Sequence, residues 1–367
     1  MKPSEVMISD KDYFAWSYEE QTQIKHRVIE AYAKVYMSKL GARSNTLFVD
    51  CHGGCGAYID QNNNLYFGSS IRVHQVSESV FAHRQTKNGI IICESDTKTY
   101  ENLIKVVDDL KIKDISIFPI DYNEVLRRPN VIEYYQKCPT LFFIDPFGYY
   151  DTPMENMSNL MRPFGNEIII NFMFDFLNRG ISISAIQENQ LTSFFGSNEW
   201  CKARELSGLE RESFLVNLYK KNLKEKTGAK YVFAYRLCYP NRNQTYYYLI
   251  HATKNIQGIG CMKDCFALIN NGRVEYLGKR NSEISLFDMD FFKQNEINYL
   301  LKNKYAGRKI SFQEMWEDIV EDTAVLEKDL RATLKAMEKQ REIEVVRFTS
   351  KTPKGLSGND QIIFTEE

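Results

Sequence analysis

The chain has almost no net charge: 47 lysines and arginines stand against 48 aspartates and glutamates over 367 residues. That balance excludes a globally basic surface for nucleic acid and leaves only a local patch for such contacts. Apolar runs near the roughly 20 residues that cross a bilayer are also missing. The candidate stretch "NEIIINFMFDFLN" is short and interrupted, so no membrane span is expected. Met1 leads into polar residues instead of an apolar signal region, and the eight cysteines are dispersed, Cys93 and Cys238 among them in strand-like apolar runs. A reducing cytoplasm fits this usage best. Cys51, His52 and Cys55 lie in a glycine turn and Cys261 and Cys265 on an expected helix, so loops closing on a metal are absent and no metal site is expected. Adjacency of Cys51 and His52 in sequence does not place thiol and base in contact, so a nucleophilic cysteine is not expected either.

What is present is apolar material in regular patterns. A composition 43% hydrophobic and 13% aromatic can bury a sizeable core, and the length suits two or three domains. Between Tyr18 and Leu40, the residues Ile24, Val28, Ile29, Tyr32, Val35, Tyr36 and Leu40 recur every three or four positions, which predicts a helix that Gly41 ends. Strand-like runs follow at Thr46-Asp50, Gly89-Glu94, Ile115-Asp121, Thr140-Asp145 and Glu167-Phe174, alternating with helix-like or looped segments. Short continuous apolar strands separated by helices predict a mostly parallel sheet covered on both faces. Later, "YVFAYRLCYP" and "TYYYLIHAT" are separated by "NRNQ", too short a connection for a parallel pair. Five parallel strands and an antiparallel hairpin make the α/β, doubly wound, seven-stranded methyltransferase-like sheet.

A second unit is expected from about Asp288, giving a division into residues 1–287 and 288–367. "ISFQEMWEDIV" and "VLEKDLRATLKAMEKQ" read as helices, and "IEVVRF" and "QIIFTE" as strands around a Lys/Gly/Ser-rich turn, the order of a winged helix-turn-helix domain. Lys328, Arg331, Lys335, Lys339, Arg341, Arg347, Lys351 and Lys354 cluster on its second helix and wing. Lys335 and Arg347 are the candidates for phosphate contacts, and a protein-docking winged helix with solvated charges is the alternative.

Four acids sit at or near predicted strand ends. Asp50 precedes the glycine loop Gly53, Gly54 and Gly56, whose backbone can turn sharply and approach a ligand. Glu94, with Asp96 as second choice, stands where doubly wound folds hold a ribose diol. Asp121 can accept from an adenine amino group, with Tyr122 or Ile120 beside the ring. Asp145, Pro146 and Phe147 partly match the "(D/N/S)PP(Y/F/W)" segment of amino-group methyltransferases, in which acid and carbonyl accept from the target amine and the aromatic stacks on the base. Phe147 replaces the second proline and Gly148 the aromatic, so Tyr149 or Tyr150 also becomes a stacking candidate. His251 is expected at the same sheet edge as Asp145, and Lys25-His26 on a helix that closes over a cofactor.

The ordered set "KHRVIEAY", "FVDCHGGCGAY", "FGSS", "CESD", "FIDPFG", "FFGSNEW" and "YYYLIHATKNIQGIGCMKD" resembles the three-Cys-motif partner protein family (TcmP), over most of residues 20 to 270. Cys51, His52 and Cys55 depart from that family's small or apolar loop residues, and Gly68-Ser69-Ser70 from its "GSP". The resemblance implies a fold similar to class I S-adenosylmethionine-dependent methyltransferases, S-adenosylmethionine as cofactor, and a three-Cys-motif partner similar to radical-S-adenosylmethionine enzymes. Together these readings predict methyl transfer to nucleic acid. The alternative is a catalytically silent binding module in phage defence or mobile-element biology.

Overall fold

A computed structural model of the chain describes residues 4–181, 185–239, 244–269, 274–276, 294–348 and 355–365. These fall into two compact units, Met1–Arg273 and Val274–Glu367. Asp288, the expected boundary, lies outside the described residues, as do Lys351 and Lys354 of the wing.

The first unit opens with short strands β1 (Glu5–Met7) and β2 (Phe14–Ser17), followed by helix α1 (Glu20–Leu40), which buries Ile24, Val28, Ile29, Tyr32 and Tyr36 along one face. Next come β3 (Thr46–Asp50), β4 (Ala57–Ile59), β5 (Leu65–Phe67), α2 (Ser69–Phe81), β6 (Asn88–Cys93) and α3 (Thr97–Asp109). After β7 (Ile115–Phe118), Pro129 at a helix start divides the next segment into α4 (Tyr122–Val125) and α5 (Pro129–Lys137). The chain continues through β8 (Thr140–Ile144), α6 (Met154–Met161), β9 (Glu167–Phe172), α7 (Phe174–Gly180), α8 (Ala185–Phe195), a 3₁₀ segment (Asn198–Glu205) and α9 (Gly208–Thr227). The hairpin strands β10 (Tyr231–Cys238) and β11 (Thr245–Thr253) precede α10 (Ile256–Ile269).

Seven strands of this unit run in the order β10-β11-β9-β8-β3-β6-β7. The pairs β7/β6, β6/β3, β3/β8 and β8/β9 are parallel, whereas β11 is antiparallel to both β9 and β10. This is the doubly wound, methyltransferase-like sheet expected from the sequence. β3 and β8 are buried at every position, as strands covered on both faces must be. Strand order reverses between β3 and β8, and the carboxyl ends of strands at such a switch point are where doubly wound sheets have their ligand crevice. No helix among the described residues is long and apolar enough to cross a membrane.

A second, four-stranded sheet, β1-β2-β4-β5, was not legible in the sequence. Its strands are three or four residues long, and β2 and β4 pair in parallel across some forty residues. Asn102 of α3 holds it: its side chain accepts from Phe14 N–H at 2.8 Å and donates to the carbonyls of Phe14 and Cys55 at 2.9 and 2.8 Å.

The second unit begins with β12 (Val274–Tyr276) and continues with α11 (Gln294–Tyr305), β13 (Lys309–Ser311), α12 (Phe312–Ile319), α13 (Glu327–Gln340), β14 (Ile343–Val346) and β15 (Gln361–Phe364). A three-stranded sheet, β13-β15-β14, packs with the helices as a winged helix. α12 starts with a capping box in which the Ser311 hydroxyl and the Glu314 carboxylate satisfy each other's backbone N–H groups. Leu330, Leu334 and Met337 form the buried stripe of α13.

Asn102 is 3% exposed, so Asn102→Ala would strand one N–H and two carbonyls away from water. Urea denaturation should show a loss of about 2 kcal/mol or more. A change below about 0.5 kcal/mol would show that the small sheet does not depend on it.

Candidate functional site

The floor of the crevice is Asp50, the last residue of β3, whose side chain is fully buried. It accepts from the hydroxyls of Ser69 at 2.6 Å and Ser70 at 2.5 Å, and from His52 N–H at 3.2 Å. Burial pushes its pKa up to about 6, against the lowering by Ser69, Ser70 and the His52 N–H, with Asp145 adding to the rise. Asp50 therefore ties the glycine loop to the start of α2 from beneath, with its carboxylate buried in that contact.

The glycines serve this packing. Gly53 N–H donates to the Cys93 carbonyl at 2.8 Å, stitching the loop to β6. Gly54 and Gly56 have φ of +65° and +79°, a region that other residues enter at a cost. A Cβ on Gly54 would lie 3.1 Å from Trp16 Cζ3, and one on Gly56 would lie 2.8 Å from Leu103 Cδ1. So the close approach that the loop permits on those sides is made by the protein's own side chains. Burial raises the Cys51 thiol well above its ordinary range and Cys55 to about 12, keeping both protonated. Among the described residues no group of three or more His, Cys, Asp or Glu is placed to hold a metal.

The other three acids surround the loop more openly. Glu94, half-buried just past β6, accepts from Gly54 N–H and Asp96 N–H, both at 2.9 Å. Asp96 caps α3 through Thr99 N–H. Asp121, half-buried, caps α4 by accepting from Asn123 N–H at 2.8 Å. Asp145 accepts from Asn171 Nδ2 at 2.6 Å and from Lys25 Nζ at 2.5 Å. Lys25 is 8% exposed and lies 5.7 Å from the ring centroid of Tyr247, whose hydroxyl donates to the Gln21 carbonyl one turn earlier on α1. Such a buried pair is costly to break from either side, because the remaining charge is left uncompensated.

His52 joins the two lips of the crevice. Its Nδ1 accepts from the Asp145 backbone N–H at 3.1 Å, which places the ring proton on Nε2, and its ring lies 5.2 Å from that of Tyr122. Burial lowers its pKa to about 4, overcoming the opposite pull of Asp145 and Asp121, while Lys25 lowers it further. The imidazole thus lies between the Asp145 segment, to which Lys25 is paired, and Tyr122, the residue after Asp121.

Several expectations need correction. His251 does not share Asp145's edge: β11 runs antiparallel, and its Nε2 is 2.9 Å from the buried Glu167 carboxylate at the amino end of β9. Tyr122 is 1% exposed and donates to the Asp151 carbonyl, so its ring supports the loop from inside. Tyr149 is 2% exposed, within a cluster with Tyr150, Phe176 and Phe194. Phe147 at 43% and Tyr150 at 40% exposure remain as accessible aromatics after Asp145 and the buried Pro146. In the second unit, Lys335 is exposed, but Arg347 is engaged by Glu338 through two bonds of 2.6 Å, which raises the guanidinium pKa. Asn171 and Trp16 also belong to this region, on β9 and β2. For Asn171, a polar residue inside "EIIINF" was the available signal.

Residues 268–349 match the family model described as a GMT-like wHTH domain. No curated protein matches the chain. Among solved structures, it is similar to the protein LPL1258 of Legionella pneumophila str. Philadelphia 1, at 12% identity, covering 68% of this chain and 96% of that one, with a TM-score of 0.37. M. jannaschii TYW2 in complex with AdoMet gives 10% identity, 69% and 86% coverage and a TM-score of 0.33. An rRNA methylase of Streptococcus thermophilus gives 9%, 60%, 93% and 0.31. At these values the strand order, and not the likeness, carries the fold.

Neutral His52 is favoured by the fold, so its contribution to stability is complete above about pH 6.5 and is lost as pH falls through about 4. Compared with His52→Gln, the unaltered chain should lose stability between pH 6.5 and 4, and imidazole NMR should place the His52 midpoint near 4. A midpoint near 6.5 would contradict the burial of this ring.

Proposed function

We propose that the chain is an S-adenosylmethionine-dependent methyltransferase whose acceptor is nucleic acid. The observation that carries this reading is the grouping of Glu94, Asp121 and Asp145 around the glycine loop at the switch point of a methyltransferase-like sheet. The donor set fits the cofactor. Glu94 offers a carboxylate to a ribose diol, Asp121 an acceptor to an adenine amino group, and the buried Asn171 Oδ1 beside Asp145 has no hydrogen-bond partner among the described residues to compete with an ammonium. When bound, the cofactor supplies a methyl group on a positively charged sulfur.

The protein's own contribution is positioning, since nucleophile, methyl carbon and sulfur must lie in line. Lys25 and Asn171 fix the Asp145 carboxylate from two sides, and His52 fixes its backbone N–H, so the acceptor amine meets an oriented group. Exposed Phe147 is available to stack on a base. The winged unit supports a nucleic-acid acceptor through exposed Lys328, Lys335 and Lys339 on α13. A three-Cys-motif protein is the partner implied by the sequence resemblance. One observation favours a silent binding module instead: Trp16 packs against Gly54 and takes up the close approach that the glycine permits.

Labelled cofactor should transfer methyl groups to DNA or RNA, and Asp145→Ala should abolish the transfer. Cofactor binding without transfer, with and without the three-Cys protein, would favour the silent module. Glu94→Ala should weaken S-adenosylhomocysteine binding by about tenfold or more in calorimetry, and unchanged affinity would remove Glu94 from the site. For nucleic-acid binding by the full chain, Lys335→Ala should reduce the salt slope by about 1, while Arg347→Ala, already paired with Glu338, leaves it unchanged. Equal slopes for Lys335→Ala and the unaltered chain would count against α13 as the phosphate-facing helix.

A further inference from the structure

Trp16 spans the two loops at the switch point. β2 runs parallel to β4 with Trp16 opposite Tyr58, and the indole is 3% exposed. Its Cζ3 edge lies against Gly54, and its ring is edge-on to Phe147 at 5.8 Å and to Tyr58 at 6.1 Å. Gly54 belongs to the loop after β3, and Phe147 to the loop after β8. The indole therefore fills space above the glycine loop between Glu94, bonded to Gly54 N–H, and the Asp145 segment.

Two features make this position a place of exchange. The Nε1–H of Trp16 is buried without an acceptor among the described residues, although nearly all buried donors find one. Turning the indole toward solvent would satisfy it. The backbone on either side is held, by Asn102 at Phe14 and by the pairing of Trp16 and Ser17 with β4, so the movement falls to the side chain. Aromatic side chains make such rotamer changes without breaking backbone bonds.

We propose that Trp16 gates the cofactor site: the indole and a nucleoside-bearing amino acid of the S-adenosylmethionine type compete for the space over Gly54, and binding turns the indole out. This rests on the methyltransferase reading above. A ligand that must displace a closed gate binds with its affinity reduced by the open fraction, so a smaller side chain at position 16 tightens binding.

The test is titration of the full chain with S-adenosylhomocysteine, followed by tryptophan emission and calorimetry. Trp200 is fully buried elsewhere in the first unit and Trp316 belongs to the second, so Trp16→Phe isolates the signal from position 16. Saturation should shift the emission of the unaltered chain to the red. Trp16→Phe should lose that shift and bind about threefold or more tightly. Acrylamide quenching of the unaltered chain gives a measure that needs no variant: quenching should increase on binding. Calorimetric binding with unchanged emission and quenching, or with equal or weaker affinity in a folded Trp16→Phe, would overturn the gate and leave the methyltransferase reading standing. Absence of binding to both chains would overturn both.

Discussion

A carboxylate buried at the end of the central strand organises the edge on which the site depends. Asp50 is shut away from water, where an isolated charge is expensive, and three donors make its position tolerable. Two of those donors begin α2 and the third begins the glycine loop. The same group thus sets where the helix starts and how the loop leaves the sheet. Beyond that anchor, Gly53 N–H on the Cys93 carbonyl and Gly54 N–H on Glu94 help to hold the positive-φ turns at Gly54 and Gly56 against Trp16 and Leu103.

The opposite lip is fixed by a second set of polar contacts. Lys25 arrives from α1, Asn171 from β9 and His52 from the glycine loop, and all three converge on Asp145. The sheet's order reversal keeps the loops after β3 and β8 apart, while the hydrogen bond between His52 and Asp145 sets how far. Three separate elements thus fix the position of Asp145, and Lys25 compensates its charge.

Most of the large sheet was legible because its strands are short apolar runs at regular intervals and its hairpin has too little connecting chain to cross over. The two winged-unit helices were legible for a similar reason, through the spacing of Leu330, Leu334 and Met337. Strand ends also placed Glu94 and Asp145 near the crevice. What the sequence hid was direction and distance. His251 sits on a strand that runs backwards relative to its neighbours, so its side chain meets Glu167 at the far end of the sheet. Trp16 and Asn102 act through pairings with residues far away in the chain, which no local periodicity announces. Arg347 reads as a free cation until its geometry with Glu338 is seen.

The central claim is that Glu94, Asp121 and Asp145 together cradle a nucleoside at this edge. Crystals soaked in S-adenosylhomocysteine test it most directly. The account predicts density across the carboxyl ends of β3, β6 and β8, with the ribose on Glu94, the adenine amino group on Asp121 and the amino-acid portion beside Asp145. Density elsewhere on the chain, or a ligand making none of those three contacts, would contradict it.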